Sequence, residues 1–182
     1  CHFYAADYDG RIYVVGEHYA AGKDVDWHAE KILALADSLG WRRDSSGRLR
    51  ALIDSAASQR TLAAEKSVAE LFAERGISVN TRVNKDLYSG IQRIKSLFSK
   101  DPPEIFIFRN CVNLIRELKS YWWGEGDRPR KADDHALDEL RYFVMSRPAP
   151  ALPAPPEKSV IQRDKEQLVR TVRREKAWMT RF

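Results

Sequence analysis

Ala51-Leu-Ile-Asp-Ser-Ala-Ala-Ser58 sets three apolar residues directly before an acid and a run of small residues. Such a run predicts a short buried strand, and Asp54 stands where that strand ends. In α/β sheets ligands collect at the carboxyl ends of strands, which makes Asp54 a candidate site residue. The same aspartate can equally cap the turn that follows by accepting a backbone N–H.

Upstream, Phe3–Asp7 and Arg11–Tyr19 are rich in aromatic and β-branched residues and are joined across Asp9-Gly10, which predicts a hairpin. Between hairpin and strand, Asp26–Leu39 puts Ile32, Leu35, Ala36 and Leu39 on one helical face, with Gly40 as a stop. Downstream, helices are expected over 62–75, 87–99, 111–122 and 134–146, and strands over 77–83 and 104–108. A hairpin followed by alternating helices and strands predicts an α/β domain, a mixed sheet covered on both faces.

The stretch from Pro148 to Pro156 holds five of the eight prolines and carries no charge, so it predicts a stiff spacer. It divides a body, residues 1–147, from a tail, residues 157–182. The tail carries eight basic and four acidic residues, four of the chain's five net positive charges. Its Val160, Ile161, Leu168, Val169 and Val172 suit an amphipathic helix with too little apolar surface to fold alone. With the charge concentrated in the tail, DNA binding by the body has to rest on local patches. No apolar run reaches the roughly 20 residues of a membrane helix, and two cysteines, Cys1 and Cys111, cannot make a disulfide framework.

No Gly-x4-Gly-Lys-Ser/Thr, Gly-x-Gly-x-x-Gly or Gly-x-Ser-x-Gly occurs, which removes the common phosphate-loop, dinucleotide and serine-hydrolase signatures. The second acidic feature is Asp133-Asp-His-Ala-Leu-Asp-Glu-Leu-Arg-Tyr-Phe143. On a helix His135 and Asp138 share a face, while Leu137, Leu140 and Val144 turn to the core. An imidazole and a carboxylate one turn apart can hold a divalent ion or handle a proton. A solvated polar face is the ordinary use of that spacing, and Asp133 or Asp134 is expected to cap the helix. If Asp54 and Asp138 converge, hard carboxylate ligands point to phosphodiester chemistry with Mg²⁺ or Mn²⁺.

These segments, together with Asn84-Lys-Asp-Leu-Tyr-Ser-Gly-Ile91, Glu104-Ile-Phe-Ile-Phe-Arg-Asn-Cys111 and Leu114-Ile-Arg-Glu-Leu-Lys-Ser-Tyr-Trp122, resemble the C-terminal nuclease domain of a tailed-phage terminase large subunit. The resemblance runs from Ala51 to Tyr142. It implies a ribonuclease H-like fold and metal-dependent cutting of concatemeric double-stranded viral DNA during genome packaging, in the host cytoplasm. It also implies three acidic positions around a two-metal Mg²⁺ or Mn²⁺ site. Asp54 matches the second and Asp138 the third, with His135 as an auxiliary ligand or proton carrier. The first has no match here, and the strand that bears it is expected upstream of Cys1. The implied partners are double-stranded DNA, the terminase ATPase domain, the small terminase subunit and the portal protein, with no membrane.

Arg42 and Arg43, with Arg48 and Arg50, precede the Asp54 strand, and Arg128, Arg130 and Lys131 precede the Asp134 helix. Both groups are candidates for DNA backbone contacts, weighed against ordinary solvated loops. Two other readings stay open: another ribonuclease H-like nuclease such as a junction resolvase, and a catalytically incomplete DNA-binding or portal-docking module.

Overall fold

The computed structural model describes residues 1–60, 65–122 and 134–146, together with 159, 161, 162, 164, 165, 167–169 and 171. The chain divides into two units, Cys1–Ala151 and Leu152–Phe182.

The first unit opens on the expected hairpin. Strand β1 (His2–Ala6) pairs antiparallel with β2 (Ile12–Glu17), from His2 opposite Glu17 to Ala6 opposite Ile12. Gly10 takes a φ of 86° in the connection, and the Asp7 carboxylate accepts the Arg11 N–H at 2.8 Å. Helix α1 (Val25–Ser38) begins where the Asp24 side chain accepts the Trp27 N–H and ends before Gly40, whose φ is +61°. Strand β3 (Leu49–Leu52) stops two residues short of Asp54, which opens a 3₁₀ turn over Ser55–Ser58.

Helix α2 (Val68–Glu74) is shorter than its apolar pattern suggests, because a reciprocal Ser67–Glu70 capping box fixes its start. The expected first residues, Leu62 to Ala64, lie outside the described residues. Strand β4 (Ile77–Asn80) ends early because the Asn80 side chain accepts the Arg82 N–H at 2.9 Å and turns the chain. Helix α3 (Leu87–Ser99), strand β5 (Ile105–Ile107), helix α4 (Val112–Ser120) and helix α5 (His135–Ser146) follow in the expected order.

The strands do not form one sheet. The order β1-β2-β5 makes a three-stranded mixed sheet, with β2 and β5 parallel from Ile12 opposite Ile105 to Val14 opposite Ile107; β3 and β4 form a separate parallel pair. Apolar runs mark strands without naming their neighbours, so the sequence could not show this division. Among the described residues β1 and β3 each pair on one edge.

Two cores result. Ile12, Val14, Leu97, Ile105, Leu114, Leu137, Leu140 and Val144 join β2 and β5 to α3, α4 and α5. Phe3, Ala29, Ile32, Ala36, Leu49, Phe72 and Ile77 join β1 and α1 to α2, β3 and β4. Among the described residues the β3–β4 pair is therefore held to the rest by side chains rather than by a backbone ladder.

In the second unit the described residues between 161 and 171 are helical. Ser159 and Gln162 exchange reciprocal bonds, Gln162 N–H to Ser159 Oγ at 3.3 Å and Ser159 N–H to Gln162 Oε1 at 3.1 Å, a helix-starting box. Ile161, Leu168 and Val169 are exposed on it. The proline spacer lies outside the described residues.

Candidate functional site

Asp54 performs the capping role open to it and a second one as well. Its Oδ1 accepts the Ala56 N–H at 2.7 Å and pairs with Lys85 Nζ at 2.5 Å. Lys85 comes from the loop that leads into α3, so this ion pair ties the end of β3 to that helix. The Lys85 hydrogen bond, then the Ala56 N–H, hold the Asp54 carboxyl below the usual carboxylate range, and the Tyr142 phenol adds a further hydrogen bond.

Asp138 lies in the first turn of α5 and accepts from Arg141 Nη2 at 2.6 Å. Arg141 is 7% exposed and Asp138 36%. The other guanidinium nitrogen donates to the backbone carbonyls of Lys85, at 2.8 Å, and Asp86, at 3.4 Å. The Arg141 guanidinium also lies 4.8 Å from the Tyr142 ring centre. Burial, the Asp138 charge and the Asp54 hydrogen bond together push Tyr142 up to about 12. Asp54 and Asp138, 84 residues apart, are thus linked through Lys85 and Arg141, and each is paired with its own cation.

His135 opens α5 with its side chain exposed, and among the described residues it makes no hydrogen bond or ion pair. Arg42 is exposed, and Arg43 pairs with Asp37 at 2.5 Å. Both sit in the loop that leads into β3, whereas Asp54 follows the other end of that strand. Arg128, Arg130 and Lys131 lie outside the described residues, as does Asp133.

A solved large terminase from a thermophilic bacteriophage, in complex with ADP, matches this chain with a TM-score of 0.59 and 25% identity. The fold is terminase-like. The match covers 77% of this chain and 34% of that one, so the chain corresponds to about a third of that terminase's length. No protein-family model matches the sequence, and comparison with curated proteins gives no match.

In this terminase-like fold the start of α5 is set by a residue the sequence reading passed over. Glu117, on α4, is fully buried and accepts from Ala136 N–H at 2.7 Å, Leu137 N–H at 3.2 Å and Tyr19 O–H at 2.8 Å. It thereby caps the first turn of α5, to which Asp134 contributes its carbonyl, accepting the Asp138 N–H at 2.8 Å; the other expected cap, Asp133, lies outside the described residues. A signal existed, since Glu117 stands one turn after the buried Leu114 on the apolar face of α4. Arg141 was likewise missed as a site residue, and Arg-Tyr after an acidic residue at i−3 was its only mark.

Proposed function

We propose that this chain is the DNA-cutting part of a phage terminase, a divalent-metal-dependent endonuclease acting on double-stranded DNA. The observation that carries the reading is the chain of contacts that links Asp54 to Asp138, through Lys85 and then Arg141, in a fold similar to a large terminase. Mg²⁺ is commonly held by one or two carboxylates, water and substrate phosphate. Asp54 and Asp138 suit one such ion, and no three described His, Cys, Asp or Glu side chains group into a larger set. A divalent ion there would polarise the scissile phosphate and lower the pKa of attacking water.

The chain's own groups have separate tasks in this reading. Asp54 and Asp138 supply anionic oxygens, and Lys85, freed from Asp54, meets a phosphate oxygen of the backbone. Exposed His135 carries a proton at the outer end of α5. Arg42, Arg43, Arg130 and Lys131 bind phosphates sequence-independently, as duplex-backbone contacts do. The small terminase subunit, the ATPase domain and the portal protein are the partners this function calls for.

A second reading, a catalytically incomplete DNA-binding or portal-docking module, is favoured by one observation: both carboxylates are already paired with Lys85 and Arg141. A plasmid-nicking assay with Mn²⁺, Mg²⁺ or chelator separates the two. Metal-dependent nicking that is lost in both Asp54→Asn and Asp138→Asn supports the enzyme. Duplex binding without nicking supports the module, and undiminished nicking by Asp138→Asn refutes the site.

A further inference from the structure

Arg141 touches Asp138, the Tyr142 ring and the 85–86 backbone, and its seat is unusual. Gly90 lies in the first turn of α3, where its N–H bonds the Asp86 carbonyl at 3.2 Å and glycine is a poorer helix former than alanine. A Cβ at Gly90 would fall 2.2 Å from Arg141 Cγ and 2.4 Å from Cδ, so the arginine stem lies directly on the α3 backbone. From that seat the planar fork spans two elements, with Asp138 on α5 at one side and the Lys85 and Asp86 carbonyls at the other. Lys85 in turn reaches Asp54. Lysine has no such fork and cannot make both sets of bonds at once.

We propose that Arg141, seated on Gly90, is the positioning residue of this site, fixing Asp138 and the 85–86 backbone as one unit and thereby the Lys85–Asp54 pair beside it. Arg141 acts through Asp138 and Lys85 rather than on substrate. Its consequence for metal binding rests on the nuclease reading above; its consequence for the loop before α3 does not.

Two variants conserve all charge and all the proposed ligands, so they isolate geometry. Arg141→Lys removes the fork, and Gly90→Ala drives the stem off its seat. In the full chain without metal, amide hydrogen exchange should rise at least about tenfold over residues 84–90 in both variants, with α1 and β2 unchanged. With Mn²⁺, followed by the paramagnetic resonance signal of the free ion, binding should weaken about 10- to 100-fold, the usual effect of losing a group that orients a ligand.

If Gly90→Ala fails to fold, the double variant Gly90→Ala/Arg141→Ala should recover the circular dichroism and melting of Arg141→Ala alone, because the clash has gone. Unchanged exchange over 84–90, or a double variant worse than Arg141→Ala, overturns the proposal. A wild-type chain that binds no Mn²⁺ refutes the metal reading, and the exchange result then decides the role of Arg141 by itself.

Discussion

Replacing Glu117 tests how the first turn of α5 is held. The carboxylate is fully buried and satisfies three donors, two of them backbone N–H groups at the start of α5, where helices leave N–H groups unpaired. In Glu117→Ala the Ala136 and Leu137 N–H groups lose their acceptor inside the protein. Each buried donor left without a partner costs about 1–3 kcal/mol, so the pair gives a loss of about 3–5 kcal/mol. For a chain of this size that lowers the melting temperature by roughly 6–20 °C.

Glu117→Gln keeps one oxygen able to accept from both N–H groups, and Tyr19 can turn its hydroxyl to accept from the new amide. What disappears is the negative charge at a helix N-terminus, so the expected loss is only about 1–2 kcal/mol. Urea unfolding followed by far-ultraviolet circular dichroism measures both, and hydrogen exchange at the Ala136 and Leu137 amides localises the effect. Equal losses in the two variants, or a loss below about 1 kcal/mol for Glu117→Ala, would refute the reasoning.

Asp138→Asn should abolish any metal-dependent nicking and also destabilise the metal-free chain by about 1–2 kcal/mol. Breaking a buried ion pair costs more, but Asp138 is 36% exposed and its share is screened; thermal melts in chelator check the value. Lys85→Met should let the Asp54 carboxyl rise toward its ordinary range, read by carboxyl-carbon NMR; an unmoved midpoint would mean that Lys85 is not its main partner. Because the folded Asp54 carboxyl is held low, its pair stabilises the fold above the ordinary carboxylate range and loses that contribution as pH falls through the lowered value. Glu70, held at about 2 by Arg60 and Ser67 against an ordinary 4.5, behaves the same way: α2 should loosen between those two values, and Ser67→Ala, at a cost of about 1 kcal/mol, should move the loosening to higher pH in a circular dichroism titration.

Much of the local structure was legible. Asp9-Gly10 announced the hairpin, Gly40 marked a helix end, and α3 has the bounds its periodicity gives. These features depend on neighbours within a few residues, which is the range a sequence pattern encodes. Pairing between strands does not, and the split of one expected sheet into two came from contacts tens of residues apart. Within the site, Asp54 was visible because it follows an apolar strand and Asp138 because it faces a histidine at helical spacing. Lys85, Arg141 and Glu117 were not, because each acts on an element far away in sequence: Lys85 on the end of β3, Arg141 on the 85–86 carbonyls, Glu117 on the start of α5.

The division of the strands also has a mechanical side. A hydrogen-bonded ladder transmits displacement stiffly, whereas packed side chains allow small sliding motions between layers. Asp54 travels with the β3–β4 pair, and Asp138 travels with α5 and the three-stranded sheet. The spacing of the two carboxylates is therefore set by side-chain ties rather than by a shared ladder. Lys85 is the stitch across that seam, its ammonium on Asp54 and its carbonyl on Arg141, so one residue carries the alignment that a backbone ladder supplies elsewhere in the fold.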